Sequence, residues 1–349
     1  MKILITGGCG FIGSNFALKQ VNETKNIILN YDKLTYAGNK DNLLSIIDSK
    51  NYTFINGDIC NYDQIEKTVM NFKPEGIIHF AAESHVDRSI DNPQAFIQTN
   101  IVGTSYLLNA TRKYFNTLSK NFKNQFRFIH ISTDEVFGSL GSKGYFNEKT
   151  PYSPNSPYSA SKASSDFLVR SWNKTYKIPT IVTNCSNNYG PFQFPEKLIP
   201  LIIANCFDEK PLPIYGKGEN IRDWLYVEDH CDAIAKVLYE GVVGETYNIG
   251  GENEYSNLDL VKIICKEMDK LKPRKNLRPY SDLINFVNDR PGHDFRYAID
   301  SRKIQSQLNW RPNEDFKSGI VKTIKWYISN ESWWRKIQKL TYSQERLGI

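Results

Sequence analysis

The first half of the chain alternates short apolar runs with longer stretches of helical periodicity. The apolar runs are KILIT (2–6), NIILNY (26–31), YTFING (52–57), GIIHFA (76–81), FRFIHIS (126–132) and TIVTNCS (180–186). They are nearly continuous rather than alternating, as expected of strands covered on both faces. Helical periodicity occupies 13–22, 61–72, 94–115 and 158–176. Strands that alternate with helices predict parallel βαβ units with right-handed crossovers. The polar stretch 116–125 reads as a surface extension before the fifth strand. Past residue 187, Pro and Gly become frequent, in YGPFQFPEKLIP, KPLPIYGKGEN and DRPGHD, which predicts a smaller, loop-rich lobe. One helical run there, 226–241, is expected to pack back on the first lobe.

Composition narrows the class. The 349 residues correspond to roughly two domains. Hydrophobic residues make up 40% and charged residues 23%, globular values that argue against disorder. The net charge is +6, but the basic residues are scattered, which argues against a nucleic-acid surface and leaves room for a small anionic partner. The six cysteines form no Cys-x-x-Cys pair, so neither a metal site nor a disulfide framework is expected. The opening MKILITGG enters a strand directly, without the regions of a secretory signal. No apolar run approaches the ~18 residues of a membrane span. A soluble, cytoplasmic protein is the expectation.

In ITGGCGFIGS, Gly7, Gly10 and Gly13 form a Gly-x-x-Gly-x-x-Gly run that follows a strand and opens a helix. Such glycines let the backbone turn tightly and approach a pyrophosphate at the helix N-terminus. Asp32 ends the next strand, where a carboxylate binds a ribose 2′-hydroxyl and repels a 2′-phosphate. The prediction is an α/β fold: a Rossmann-type, doubly wound parallel sheet that binds NAD, with a smaller loop-rich α/β substrate lobe. The first domain spans 1–187, with 222–245 packed back on it; 188–335 is mainly the substrate lobe, and 336–349 a C-terminal tail. Asp58, in GDI (57–59), ends the third strand, and an adenine contact and a turn cap fit its spacing equally.

SPYSASKASSD holds Tyr158 and Lys162. The same spacing occurs at Tyr36/Lys40 and Tyr145/Lys149, but only Tyr158 follows a proline, Pro157, and opens an uninterrupted helical run. Positions i and i+4 share a helix face. An ammonium there is expected to lower the phenol pKa, giving a general base for a sugar or alcohol hydroxyl. In ISTDEVFG, Asp134 and Glu135 follow the fifth strand. Two close carboxylates push their pKa values apart, which suits one acid and one base; a polar loop start is the plain alternative. Neighbours on a regular strand point to opposite faces, so the strand is predicted to have ended by Thr133.

The motifs GGCGFIGSN, YDKLTYAGN, FAAESHVDRSI, STDEVFG, YSASKASSD, NCSNNYGPFQFPEKLIP, NIRDWLYVEDH and DRPGHDFRYAID together resemble the dTDP-glucose 4,6-dehydratases of the extended short-chain dehydrogenase/reductase superfamily. The resemblance runs from residue 1 to about 335. It implies an NAD-dependent hydro-lyase of deoxysugar biosynthesis and a homodimer packed through 94–115 and 158–176. Its reaction turns dTDP-glucose into dTDP-4-keto-6-deoxyglucose and water: oxidation at C4, elimination across C5–C6, hydride return to C6.

In that family's pattern, Tyr158, supported by Lys162, takes the C4 hydroxyl proton and Thr133 holds the C4 oxygen. Glu135 removes the C5 proton, and protonated Asp134 donates to the departing C6 hydroxyl. Implied cofactor contacts are Gly7, Gly10, Phe11, Ile12 and Gly13 in the glycine turn, Asp32, Lys33, Leu34 and Thr35 around the adenosine ribose, and Asp58 and Ile59. Ala81, Ala82, Ser84, Thr99 and Asn187 complete that set. Implied substrate contacts are Ser84, His85, Asn187, Asn188, Lys197, Leu198, Pro213, Tyr215, Arg222, Asn257, Asp289, Arg290 and His293. Arginine suits phosphate oxygens through its planar fork. Phe137 departs from the tyrosine common in the family. A 4-epimerase would use the same glycine loop and tyrosine without needing the carboxylate pair; dehydratases acting on other nucleotide sugars and a non-catalytic NAD sensor are the other rivals.

Overall fold

The computed structural model describes residues 1–289 and 291–340. The six expected strands form: β1 (Lys2–Thr6), β2 (Ile27–Asp32), β3 (Tyr52–Asn56), β4 (Gly76–His79), β5 (Arg127–Thr133) and β6 (Thr180–Cys185). They are followed by β7 (Asn187–Tyr189), β8 (Leu212–Tyr215), β9 (Ile221–Tyr226), β10 (Thr246–Ile249), β11 (Glu254–Ser256) and β12 (Ile284–Val287). The main sheet has seven strands in the order β10-β6-β5-β4-β1-β2-β3, and every pair is parallel. The chain's return to this lobe therefore runs past 222–245: the helix Val227–Glu240 leads into β10, a seventh strand not expected from the pattern. Its four residues are too short to announce a strand alone. Ile3, Ile5, Ile77, Ile78 and Ile129 are fully buried, which accounts for the continuous apolar runs. Strand order reverses between β1 and β4. That switch opens a crevice at the carboxyl ends of the strands, the usual ligand site of open α/β sheets.

The stretch 94–115 is not one regular helix. It is built from Pro93–Phe96, a π-helical segment Ile97–Gly103, and the α-helix Thr104–Thr117. Asn100, in the π segment, accepts the Glu83 N–H at 2.9 Å and donates to Ser161 Oγ at 2.8 Å, tying the segment to the Tyr158 helix. Within 116–125 the chain forms a separate short helix, Lys120–Gln125, with no buried residue, rather than a plain extension.

The second lobe is more regular than its Pro/Gly content suggests. It holds the sheets β11-β9-β7 and β12-β8 and the helices Leu198–Phe207, Asn257–Leu271, Phe316–Ser329 and Glu331–Leu340. Pro200 sits in the first turn of its helix, where its missing N–H costs no hydrogen bond. Ile202, Leu260, Ile264, Ile320 and Trp334 form a separate core. Of the tail expected over 336–349, residues 336–340 complete the helix Glu331–Leu340; the remainder lies outside the described residues.

Candidate active site

The crevice is floored by the turn after β1. Gly7 has φ +75, and a Cβ there would sit 2.5 Å from the Ala81 nitrogen; a Cβ on Gly13 would sit 2.4 Å from the Gly7 oxygen. Only glycine allows this approach. The helix Phe11–Glu23 starts after Gly10 with no side-chain cap and no acidic residue in its first turn, which leaves its leading N–H groups for an anion. Asp32 Oδ2 accepts the Cys9 N–H at 2.8 Å and Oδ1 the Leu34 N–H at 2.8 Å. Burial pushes this carboxyl up against those two bonds, and its second lone pairs remain for a ribose diol. Asp58 takes the turn-cap role, accepting the Cys60 N–H at 2.8 Å, and it also lines the crevice while pairing with Lys33 at 2.8 Å.

The residues expected to hold the cofactor line one cavity, with the exception of Leu34. Leu34 adopts φ 57 and spends its N–H on Asp32. The cavity runs from the glycine turn and Asp32 to Thr133, Tyr158 and Lys162. Asn187 Oδ1 is buried there without a hydrogen-bond partner among the described residues. A bare helix N-terminus, a diol-binding carboxylate and an orphaned amide oxygen together fit a dinucleotide.

Thr133 is the last residue of β5, paired with Cys185, so the strand ends one residue later than predicted. Asp134–Phe137 then form a 3-10 turn. Thr133 caps it: its Oγ1 accepts the Glu135 N–H at 3.2 Å and donates to Asp134 Oδ1 at 3.3 Å. Leaving the strand after Thr133 frees the two carboxylates from alternation. Asp134 is 1% exposed and lines neither cavity described here. Its Oδ2 has no hydrogen-bond partner among the described residues. Burial above all, then Glu135 and Asp223, raise its pKa well above 3.8, so the structure favours a proton on Asp134. Glu135 is half-buried and lines both this cavity and its neighbour.

The helix Pro157–Tyr176 opens with Pro157 and a capping box between Ser156 and Ser159, a strong start signal. It buries Tyr158 and Lys162 together. The expected lowering of the phenol pKa is not seen. Tyr158 is raised well above 10 by burial and by Glu135, against a hydrogen bond from Thr133. Desolvation of the phenol dominates; Lys162 Nζ donates to the Ile131 carbonyl at 2.8 Å, and burial pulls the ammonium itself down to about 8.

The second cavity opens beside the first. His85, Asn187, Asn188, Lys197, Leu198, Pro213, Tyr215, Arg222, Asn257 and His293 line it with Glu135. Ser84 lines the first cavity, where its carbonyl accepts from Lys197 at 3.2 Å. Arg222 stacks 4.2 Å over the Tyr297 ring and donates to the Asp294 carbonyl at 2.9 Å. Asp289 is outside this lining and lies 2.6 Å from His293 Nδ1. Arg290 is outside the described residues. Of the residues that line both cavities, two were not anticipated. Gln193 and Glu196 border both cavities, and Glu196 accepts from Arg88 at 3.0 Å. Their position beside Lys197 in one short segment was the only local signal. Asp223, whose buried carboxyl is raised to about 6, was also missed; it acts through Asp134.

The sequence pattern of the GDP-mannose 4,6 dehydratase family matches residues 4–323. A dTDP-glucose 4,6-dehydratase of Neisseria meningitidis serogroup B is 54% identical over 350 residues, covering 99% of each chain. The crystal structure of the Bacillus anthracis dTDP-glucose 4,6-dehydratase in complex with NAD superposes with a TM-score of 0.85 at 45% identity, covering 97% of this chain and 99% of that one. The Streptomyces venezuelae dTDP-glucose 4,6-dehydratase, also solved with NAD, gives 0.88 at 40% identity, covering 97% and 100%. With the glycine turn, the Tyr158–Lys162 helix and the Asp134–Glu135 turn at one crevice, this chain belongs to the dTDP-glucose 4,6-dehydratase family.

Proposed function

We propose that this chain is an NAD-dependent hydro-lyase that converts dTDP-glucose to dTDP-4-keto-6-deoxyglucose and water. The observation that carries the reading is the fully buried Asp134 next to the crevice-lining Glu135, on a turn capped by Thr133. NAD, held by the glycine turn and Asp32, supplies the oxidant for C4, the reductant for C6 and the positive ring charge that the buried phenol lacks. Tyr158 takes the C4 hydroxyl proton, and Thr133 Oγ1 holds the C4 oxygen. The resulting ketone acidifies C5, whose proton passes to Glu135. Asp134 gives its proton to the C6 hydroxyl, which leaves as water. Glu135 then returns its proton to C5. Lys162 fixes the helix face through Ile131, while His85, Asn188, Lys197, Arg222 and His293 bind the nucleotide sugar.

Purified protein incubated with dTDP-glucose and no added NAD is expected to form a product lighter by one water, with no net cofactor reduction. An isomer of unchanged mass would assign a 4-epimerase instead and overturn the reading. Ile97 and Phe167, 43% and 56% exposed on the two helical stretches named for packing, support a homodimer through them; Phe167→Asp is expected to give a monomer in sedimentation. No helix among the described residues is long and apolar enough to cross a membrane. We assign the enzyme to the cytoplasm as a catalyst of deoxysugar biosynthesis.

A further inference from the structure

The Tyr158 helix carries a third buried polar residue in register with the first two. Asp166 lies one turn beyond Lys162 and is fully buried. It lines neither cavity, and the reaction described above does not use it. Its Oδ2 accepts three hydrogen bonds: from Ser132 Oγ at 2.9 Å, Tyr152 OH at 2.8 Å and Asn184 Nδ2 at 3.2 Å. The same Asn184 nitrogen donates to the Thr133 carbonyl at 3.1 Å. Ser132 stands between Ile131, whose carbonyl holds Lys162, and Thr133, which caps the carboxylate turn. One carboxylate thus cross-ties the helix bearing Tyr158 and Lys162 to the end of β5, where Thr133, Asp134 and Glu135 begin.

Asp166 also has an electrostatic place. Lys162 faces Asp166 from its own helix, His79 from β4, His130 from β5 and Cys185 from β6. Burial keeps both imidazoles neutral, with His130 near 4, and keeps the Cys185 thiol protonated. Among these groups the remaining charge is that of Asp166. Burial pushes that carboxyl up, but His130, Lys162 and Tyr152 together hold it below its ordinary value. Arg170, two turns from Lys162, is engaged with Tyr152.

We propose that Asp166 is a positioning residue for the dehydration: it sets the oxidation pair on the helix against the elimination pair on the turn. This rests on the functional reading above. The test measures kcat and KM against pH for holoenzyme carrying Asp166→Asn, Tyr152→Phe or Asn184→Ala, with thermal unfolding alongside. Without the carboxylate, Lys162 loses its proton more easily. The alkaline limb of the Asp166→Asn profile is therefore expected to move down by about one pH unit or more, with kcat reduced about tenfold or more. Tyr152→Phe removes one bond but keeps the charge, and is expected to leave the limb in place. A folded Asp166→Asn enzyme with an unmoved limb, losing activity only in step with Tm, would overturn the proposal. If Asp166→Asn does not fold, Asn184→Ala decides: it cuts the tie to Thr133 and should lower kcat with KM little changed, and an unchanged kcat is the overturning result. Wild-type protein that fails to dehydrate dTDP-glucose would instead refute the functional reading beneath it.

Discussion

In the proposed reaction, adjacent carboxylates at a strand end take opposite duties because one is buried and the other lines the crevice. Desolvation disfavours the charged form, so the buried Asp134 is the carboxyl on which a proton is favoured. The two titrate as a pair, and the roles rather than separate constants belong to each residue. Asp134→Asn and Glu135→Gln are each expected to lower kcat for dehydration by about 10²–10⁴, while cofactor stays bound; loss of NAD as the main effect, read from absorbance of the purified protein, would contradict the assignment. Asp134 also sets a pH dependence of stability. Its folded pKa lies above 3.8, so the folded state binds more protons than the unfolded chain above that pH. Stability linked to this group is therefore greatest in acid and is lost as pH rises toward the folded pKa. Asp134→Asn removes that loss and is expected to raise Tm by about 3 °C at pH 8, with a smaller gain at pH 5. A site residue that costs stability is expected where function requires a buried acid.

At the scale of elements, two starts of helices position the chemistry. The glycine turn brings the first helix N-terminus to the diphosphate position. Gly13→Ala would drive a methyl to 2.4 Å from the Gly7 oxygen and 2.9 Å from Gly8 Cα, both backbone atoms that cannot step aside. Overpacking there is expected to cost about 1–3 kcal/mol and to leave the purified protein without NAD. The Tyr158 helix starts from the reciprocal Ser156–Ser159 capping box. Ser156→Ala is expected to cost about 1 kcal/mol in urea unfolding. The 3-10 turn of Asp134–Phe137 is the third such element, and its cap, Thr133, is itself a site residue. Phe137, without the tyrosine hydroxyl, stacks on Phe146 at 5.1 Å and keeps the turn packed.

At the scale of the molecule, the site exists only where the lobes meet. Asn187, Gln193, Glu196 and Lys197 from beyond β6 border both cavities. Arg88, on the short helix Val86–Asp91, reaches across to Glu196 while stacking 3.9 Å over Tyr36 in the loop after Asp32. Glu196 is almost fully buried, so Arg88→Met would strip it of its hydrogen-bonded guanidinium and leave it with His85 at 3.8 Å and the field of Lys197. The variant is expected to lose about 2 kcal/mol in urea unfolding and to raise KM for dTDP-glucose; unchanged values for both would show that the pair does not hold the lobes.

The sequence by itself determined the parallel βαβ order, the glycine turn with Asp32, and the helix that places Tyr158 beside Lys162. Each is a short-range pattern: apolar runs, a glycine spacing, a proline at a helix start. The family resemblance added the roles of Thr133, Asp134 and Glu135. Only the tertiary structure decided that Thr133 still belongs to the strand, that β10 joins the sheet, and that Gln193 and Glu196 border both ligand spaces. It also set the burial that biases the site's titrating groups. Desolvation and the field of Asp223 come from segments far from Asp134 in the chain, and no local spacing encodes them.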